Sequence, residues 1–455
     1  MTSLKETDAD RGTMECMWYY HPDLLARPVP RYTSFPTAAE FAPLAEVDTL
    51  EQALGAIADD EPVSLYVHIP YCEQICWYCG CNTGRVNRRQ RLDSYLDALM
   101  TEIDLVAARL GQGRRICRIV FGGGSPNALA PVEFVRLFDR LATAFQFVSP
   151  QVSIEIDPRG FGSEWTTVLS HVGASHASLG VQTLDPAVQA AIGRIQPLDI
   201  VTRAVGQLRD AGIRSLNFDL MYGLPHQDIS VLEATLQQSA ALRPERVSLF
   251  GYAHVPQVVP RQKRIDAANL PDMRQRFDMA ALGHHFLVGH GYMPIGFDHF
   301  ALPCDDMASA MLDHRLNRNF QGFTDDRATV TIGLGASAIS SFPDLIVQNE
   351  KNAGRYRMWL SQSRLPTAVG VRRSEADRRA GAVIRDLLCY GEADLSALGA
   401  DIPVAELEPF VRRSLAMLEG NIIRLGAGGW PYARAIAACF DPYRNALAGR
   451  FSSAV

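Results

Sequence analysis

The run Ser64-Leu-Tyr-Val-His-Ile-Pro-Tyr-Cys-Glu-Gln-Ile-Cys-Trp-Tyr-Cys-Gly-Cys-Asn82 constrains this chain more than any other stretch. Its first residues are apolar, β-branched or aromatic and read as a buried strand. Pro70 has no N–H to give to a sheet ladder, so the strand ends there and a loop begins. That loop carries Cys72, Cys76 and Cys79, with Cys81 two residues further on. Three thiols so close in sequence can converge on one metal centre. A structural zinc takes four Cys or His ligands, commonly as two separated pairs, and a closed iron–sulfur cluster takes four thiolates. Downstream, Cys117, Cys304, Cys389 and Cys439 are scattered singly and supply no second pair. Two readings stand on these residues. One is a 4Fe–4S cluster on three thiolates, with one iron left open to a small molecule; the other is a zinc loop that takes Cys81 as its fourth ligand.

The rest of the composition is that of a globular enzyme. A length of 455 residues allows more than one domain, and 47% hydrophobic with 21% charged residues is ordinary for such a chain. The polar start, residues 1–12, has no apolar leader segment, and no run reaches the length of a membrane-spanning helix. Nine cysteines over this length do not make a disulfide framework, and an exposed metal-binding trio needs a reducing compartment, so the expected location is cytoplasmic. A net charge of −6 argues against general nucleic-acid binding.

Along the chain, residues 1–60 are rich in proline around 22–43 and read as an extended arm packed on the body. After the cysteine loop, helical periodicity over 92–110, 131–145, 165–172, 200–211, 231–242 and 273–289 alternates with apolar strand patterns over 116–121, 152–156, 177–181, 215–220, 247–252 and 292–297. Strand then helix, repeated about every thirty residues, predicts βαβ units and a parallel sheet, curled into a partial (β/α)6 barrel over 61–330. A doubly wound sheet is the competing architecture. From 331 the pattern changes to a small-residue loop, 333–340, and then a smaller, mostly helical C-terminal domain over 331–455. Polar residues fall at the carboxyl ends of the strands: Gly122–Ser125, Glu155 with Asp157, Gln182, Asp219 with Tyr222, and Tyr252 with His254. Barrel active sites are built from those ends.

The Cys-x3-Cys-x2-Cys spacing resembles that of the radical S-adenosylmethionine (SAM) enzymes. The match to one family within them runs nearly end to end. It covers Pro30-Arg-Tyr-Thr-Ser-Phe-Pro-Thr37, Tyr66-Val-His-Ile-Pro70, Cys79-Gly-Cys-Asn82, Ile154-Glu-Ile-Asp-Pro-Arg159, Asp219-Leu-Met-Tyr-Gly-Leu-Pro225, Asn319-Phe-Gln-Gly322 and Cys439-Phe-Asp441. On these segments the chain resembles the oxygen-independent coproporphyrinogen III oxidases. A haem-chaperone branch resembles it over the barrel but lacks the arm motif and the Cys-x-Cys pair; a haem-modifying methyltransferase and a haem-trafficking protein with an inert cluster are the other rivals.

The resemblance implies a radical SAM barrel and a defined reaction. A 4Fe–4S cluster held by Cys72, Cys76 and Cys79 delivers one electron to SAM, and the resulting radical oxidatively decarboxylates two propionates of coproporphyrinogen III to vinyl groups. It implies that Tyr66, Tyr78, Gly123, Glu155 and Ile339 contact the cluster-bound SAM. It also implies a second SAM at Gly124, Ser125, Gln182, Arg194, Asp219 and Ala253. Tyr66, His68 and Cys81 are the candidates for roles in turnover, with Cys81 outside the cluster's ligand set. Substrate carboxylates are expected at Arg31 and Arg318, with Gln321 beside them. The expected partners are the porphyrinogen and an electron donor such as flavodoxin or ferredoxin, with no nucleic acid and no membrane, and the chain is expected to act as a monomer.

Overall fold

The computed structural model describes residues 18–44, 48–86, 89–111 and 113–444; the polar start read at 1–12 lies outside them. Six parallel strands form its centre: β1 (Pro62–Ile69), β2 (Arg115–Gly123), β3 (Gln146–Ile156), β4 (Ala174–Gln182), β5 (Ser215–Tyr222) and β6 (Arg246–Gly251). They pair in sequence order, each parallel to the next. A doubly wound sheet reverses its strand order part-way, whereas right-handed crossovers that never reverse curl a sheet into a barrel. The unreversed order therefore decides for the partial barrel.

Alternation along each strand sorts its side chains. Val63, Leu65, Val67 and Ile69 of β1 are fully buried, and Val152, Ile154 and Ile156 of β3 nearly so. The intervening residues are Ser64, Tyr66 and His68 in β1, Glu155 in β3, Ser178 in β4 and Asn217 with Asp219 in β5. Successive strand residues point to opposite faces, so an apolar set faces one way and a polar set the other. The polar set joins up across strands: Ser178 Oγ donates to Asp219 at 2.7 Å, Asn217 Nδ2 donates to Asp219 at 2.9 Å, and Ser248 Oγ donates to Asn217 at 3.0 Å.

The helices cover the apolar face. Helix Pro131–Ala144 shows why they form where they do. Pro131 opens it at a position that needs no N–H, and Glu133 reaches back to accept the Ala130 N–H at 2.8 Å. Its buried Phe134, Leu137 and Leu141 recur at helical spacing, and Phe134 packs on Phe121 of β2 and on Trp165, with ring centroids 4.7 and 5.2 Å away. Each such side chain contributes about 1.5–3 kcal/mol by leaving water.

Beyond β6 the structure departs from the sequence reading. The strand expected at 292–297 is a short antiparallel hairpin, Met293–Ile295 with His299–Ala301, laid on β6. The seventh parallel strand is Val330–Leu334, on the other side of β1. The sheet then continues antiparallel through Ile339–Ser341, Leu345–Asn349 and Thr367–Arg372. The position at which the sequence reading changes, 331, falls inside a strand of the barrel sheet, and the sheet runs on to Arg372 before the remaining C-terminal elements. A buried carboxylate explains how the Gly-rich segment is held. Glu102, on the helix after β1, accepts the Gly335 N–H at 2.6 Å, the Tyr356 hydroxyl at 2.5 Å and the Asn349 amide at 2.7 Å. Those partners are distant in sequence, so no local pattern announces the strand.

The C-terminal unit consists of helices Glu375–Tyr390, Val404–Val411 and Ala433–Ala437, with a three-stranded antiparallel sheet of Glu392–Asp394, Ile422–Leu425 and Ala416–Glu419. The N-terminal arm is pinned between this unit and the barrel. Ala42–Pro43 pairs with Thr367–Arg372, Tyr32 donates to Asp441 at 2.9 Å, and the Tyr432 hydroxyl accepts the His21 N–H at 2.8 Å. Among the described residues no helix is long and apolar enough to cross a membrane.

Candidate active site

The cysteine loop leaves β1 at Pro70 and is fastened on three sides. Gly84 donates to Pro70 O at 2.9 Å and Val86 to Cys72 O at 3.0 Å. The glycine run at the end of β2 lies alongside: Gly124 donates to Ile69 O and Ser125 to Tyr71 O, both at 2.8 Å. From the far side, Trp77 donates to Ile192 O, and Gln262 Nε2 bridges Tyr78 O and Ala253 O at 2.9 and 3.0 Å.

The glycines are required by this contact. A Cβ on Gly124 would meet the backbone of Ile69 and Tyr71, and one on Gly123 would meet the His68 ring. Gly123 also has a φ of 106°, which side chains rarely adopt. Its N–H instead donates to Glu155 Oε2 at 3.0 Å.

A cavity of about 190 Å³ runs between the loop and the strand ends. Cys72, Cys76, Cys79 and Cys81 line one side, and Gly123, Gly124, Ser125, Glu155, Gln182, Arg194, Asp219 and Tyr78 the other. Of the residues expected to bind SAM, only three lie outside its lining. Ala253 is tied to Tyr78 through Gln262; Tyr66 and Ile339 line the adjoining cavity described below. Gln182 has a φ of 64° at the end of β4, a left-handed conformation uncommon away from glycine and one that recurs at functional sites.

Charge in this cavity is arranged around Cys76. Arg194, only 6% exposed, and Arg159 each direct a guanidinium nitrogen at Cys76 Sγ, at 3.2 and 3.3 Å. Asp157 holds both arginines. Burial alone would raise the Asp157 pKa, but Arg194 and Arg159 outweigh it and keep the carboxyl below its ordinary value. Arg194 also donates to Gly180 O at 2.6 Å, and its buried Nε has no acceptor. Arg159 was not among the expected site residues, although it closes a segment that carries the resemblance. Burial pushes Glu155 up to about 7; its hydrogen bond from Gly123 opposes this, and Asp219 and Cys79 add to it.

These residues fit a cluster. Cys72, Cys76 and Cys79 line one side of this cavity together, and a 4Fe–4S cluster takes one thiolate per iron from such a set. Two guanidiniums at Cys76 Sγ also place positive charge where the anionic cluster would sit.

A second cavity, of about 710 Å³, adjoins the first. The two share Cys81, Gly123 and Glu155 in their linings. Tyr66, His68 and Ile339 line the larger one near that junction, and Arg318 and Gln321 line it farther out. His68 accepts or donates between Tyr66 Oη at 3.1 Å and Ser337 Oγ at 3.3 Å, and burial lowers its pKa to about 4, so the ring is neutral at pH 7. The helix Glu375–Tyr390 contributes Arg378 and Arg385, with Arg373 just before it; the sequence reading missed all three, having no periodic or spacing signal for them.

Arg318 and Arg31 are placed differently. Arg318 donates to Tyr32 O at 3.1 Å and to Arg31 O at 2.9 Å, and its guanidinium lies 4.2 Å from the Phe323 ring centroid. Two of its five N–H groups therefore hold the arm down, and its buried Nη1 has no hydrogen-bond partner. Arg31 donates to Gly251 O at the end of β6 at 2.9 Å and lines a separate, smaller cavity.

Comparison with known proteins agrees with this geometry. The family model for the Radical SAM superfamily matches residues 66–238. The oxygen-independent coproporphyrinogen III oxidase of Bradyrhizobium diazoefficiens is 39% identical over 91% of this chain and 94% of its own. The chain belongs to the oxygen-independent coproporphyrinogen III oxidase family. The enzyme of the same description from Escherichia coli K12 is 36% identical, over 91% of this chain and 93% of its own. The solved structure of coproporphyrinogen III oxidase (HemN) from Escherichia coli, a radical SAM enzyme, superimposes with a TM-score of 0.86 at 35% identity, covering 91% of this chain and 97% of that one. A 4Fe–4S cluster and SAM are the cofactors of such an enzyme, and the cysteine-lined cavity is where they fit.

Proposed function

We propose that this chain oxidatively decarboxylates two propionate side chains of coproporphyrinogen III to vinyl groups, yielding protoporphyrinogen IX. The observation that carries the reading is the junction of the two cavities. A pocket with three cluster thiols meets, across Cys81, Gly123 and Glu155, a space large enough for a tetrapyrrole.

When bound, the cluster and SAM supply a one-electron reductive cleavage that ends in removal of a hydrogen atom from the propionate β-carbon. Loss of CO2, with one further electron passed to an external one-electron acceptor, then leaves the vinyl group, once for each of two propionates. Cys72, Cys76 and Cys79 hold the cluster, and Arg159 and Arg194 stabilise its thiolate side. Gly123 and Gly124 would let a ligand approach the backbone, and Glu155, Tyr66, Tyr78 and Ile339 would hold the cluster-bound SAM. Gly124, Ser125, Gln182, Arg194, Asp219 and Ala253 surround the place of a second SAM. The neutral His68 fixes the Tyr66 hydroxyl at the junction, and Cys81 faces both cavities there. Arg373, Arg378 and Arg385 join Gln321 as groups suited to substrate carboxylates, since a guanidinium pairs a carboxylate in two directed hydrogen bonds. Open cluster thiols suit a reducing, cytoplasmic setting, with flavodoxin or ferredoxin as electron donor and a single chain as the working unit.

The test is anaerobic. With reductant and SAM, the reconstituted enzyme should form 5′-deoxyadenosine and methionine in a manner that depends on coproporphyrinogen III. Cleavage that ignores the porphyrinogen and responds to haem instead would overturn the reading.

A further inference from the structure

We propose that the basic turn Pro260–Arg264, together with the outer rim of the cysteine loop, is the docking surface for an acidic one-electron carrier protein. The inference rests on the function proposed above and names where its electron enters.

Each SAM cleavage consumes one electron from outside, so reducing power has to reach the cluster thiols through the surface above them. The cysteine loop forms that surface: Glu73, Gln74, Gly80 and Asn82 are exposed, and Cys72 and Cys79 are half-buried. The turn Pro260–Arg264 packs against the loop. Its buried Gln262 bridges Tyr78 O and Ala253 O, and Arg261 donates to Thr83 Oγ1 at 3.1 Å and to Thr83 O at 3.2 Å. With those two side chains turned inward, Lys263 and Arg264 are left exposed. The Arg264 guanidinium lies 5.9 Å from the Trp77 ring centroid, and Trp77 follows Cys76 in the chain. The turn thus stands one residue away from a cluster thiol.

A chain of net charge −6 is basic at this place. Lys263 makes no hydrogen bond or ion pair with any described residue, and Arg264 has only its ring contact with Trp77. Stacking of that kind holds a guanidinium without neutralising it. Asp266, the nearest acid along the chain, is taken up by the Ala268 N–H and the Asn269 amide. On the other flank the exposed Arg85 donates to Glu73 O, and Arg88, Arg89 and Arg91 follow it in sequence with no acid between them. Unpaired charge of one sign steers in a partner of the other sign. Apolar contacts are present beside the charges. Val258 is 62% exposed and Ile195 is 58% exposed, and Ile195 comes two residues after Gly193, where the Trp77 ring packs. Exposed apolar side chains rimmed by polar ones are the make-up of a protein interface. The partner is therefore anionic, and its place above the cluster thiols makes it a redox protein, since a nucleic acid carries no electron. One electron leaves the reduced carrier for the cluster, and the carrier departs in its one-electron-oxidised form.

The test compares reconstituted wild-type enzyme with a Lys263→Glu, Arg264→Glu double variant, using an acidic flavodoxin as the probe. Neither side chain lines either cavity. In equilibrium binding at low salt the variant should hold the flavodoxin about tenfold or more weakly, since two attractions become repulsions. Salt of about 0.5 M should narrow that difference by screening. In turnover, the KM for reduced flavodoxin should rise by a similar factor, while the rate with reduced methyl viologen, a small cation, stays level. Equal affinity of the two proteins for flavodoxin would overturn the surface. So would an equal loss of rate with both reductants, which marks a structural role, and so would a wild-type enzyme that runs on methyl viologen but neither binds flavodoxin nor takes electrons from it. A DNA duplex that binds the wild type as tightly as flavodoxin does, and is released by the same substitutions, would also overturn it. Failure of the wild-type enzyme to turn over coproporphyrinogen III with methyl viologen would instead strike the function beneath it.

Discussion

Replacing any one of Cys72, Cys76 or Cys79 by Ser will give a folded protein without a stable 4Fe–4S spectrum and without SAM cleavage. The loss should be complete in each case, because the proposed ligand set of three thiols leaves no spare. Cys81 is the only other thiol in the cavity, and it is two residues from Cys79 on the same tight turn. Iron content and the visible spectrum after anaerobic reconstitution check this directly. The protein should keep its fold, since the loop is fastened by backbone hydrogen bonds and not by the thiols. A Cys76→Ser variant with full iron content would remove the ligand assignment.

Gly124→Ala should be nearly as damaging, by a different route. The added methyl would stand against backbone atoms of Ile69 and Tyr71, which cannot rotate away. Relief requires the cysteine loop and the end of β2 to part, at a cost of about 1–3 kcal/mol in stability. Displacing the thiols by about 1 Å from their productive positions should lower SAM cleavage about 100-fold. Gly206→Ala is the control, since nothing lies within 4 Å of a Cβ there and the residue is within helix Leu198–Asp210. Thermal unfolding and SAM cleavage, measured on both variants, separate the two effects. Equal behaviour of the two would show that the glycine does not fix the loop.

Much of this architecture was legible because the barrel is periodic. Apolar alternation marked β1 to β6, and helical spacing marked the helices between them, to within a few residues. The polar residues at strand ends line the cavities described above. The pattern failed where structure depends on partners far along the chain. Val330–Leu334 reads as the approach to a small-residue loop, and its pairing with the edge of β1, more than two hundred residues away, makes it a strand. Arg318 was singled out because it lies in a family-matching segment outside the barrel strands, and it lines the large cavity; its contacts with the carbonyls of Arg31 and Tyr32, nearly three hundred residues away, have no local signal.

The most direct measurement is the identity of the porphyrin product. Reconstituted enzyme, incubated without oxygen with coproporphyrinogen III, SAM and a reductant, should release two CO2 for each substrate molecule. After oxidation in air the product should be protoporphyrin IX, with the Cys76→Ser enzyme yielding none. Recovery of unchanged or methylated coproporphyrin, while SAM is consumed, would contradict the account.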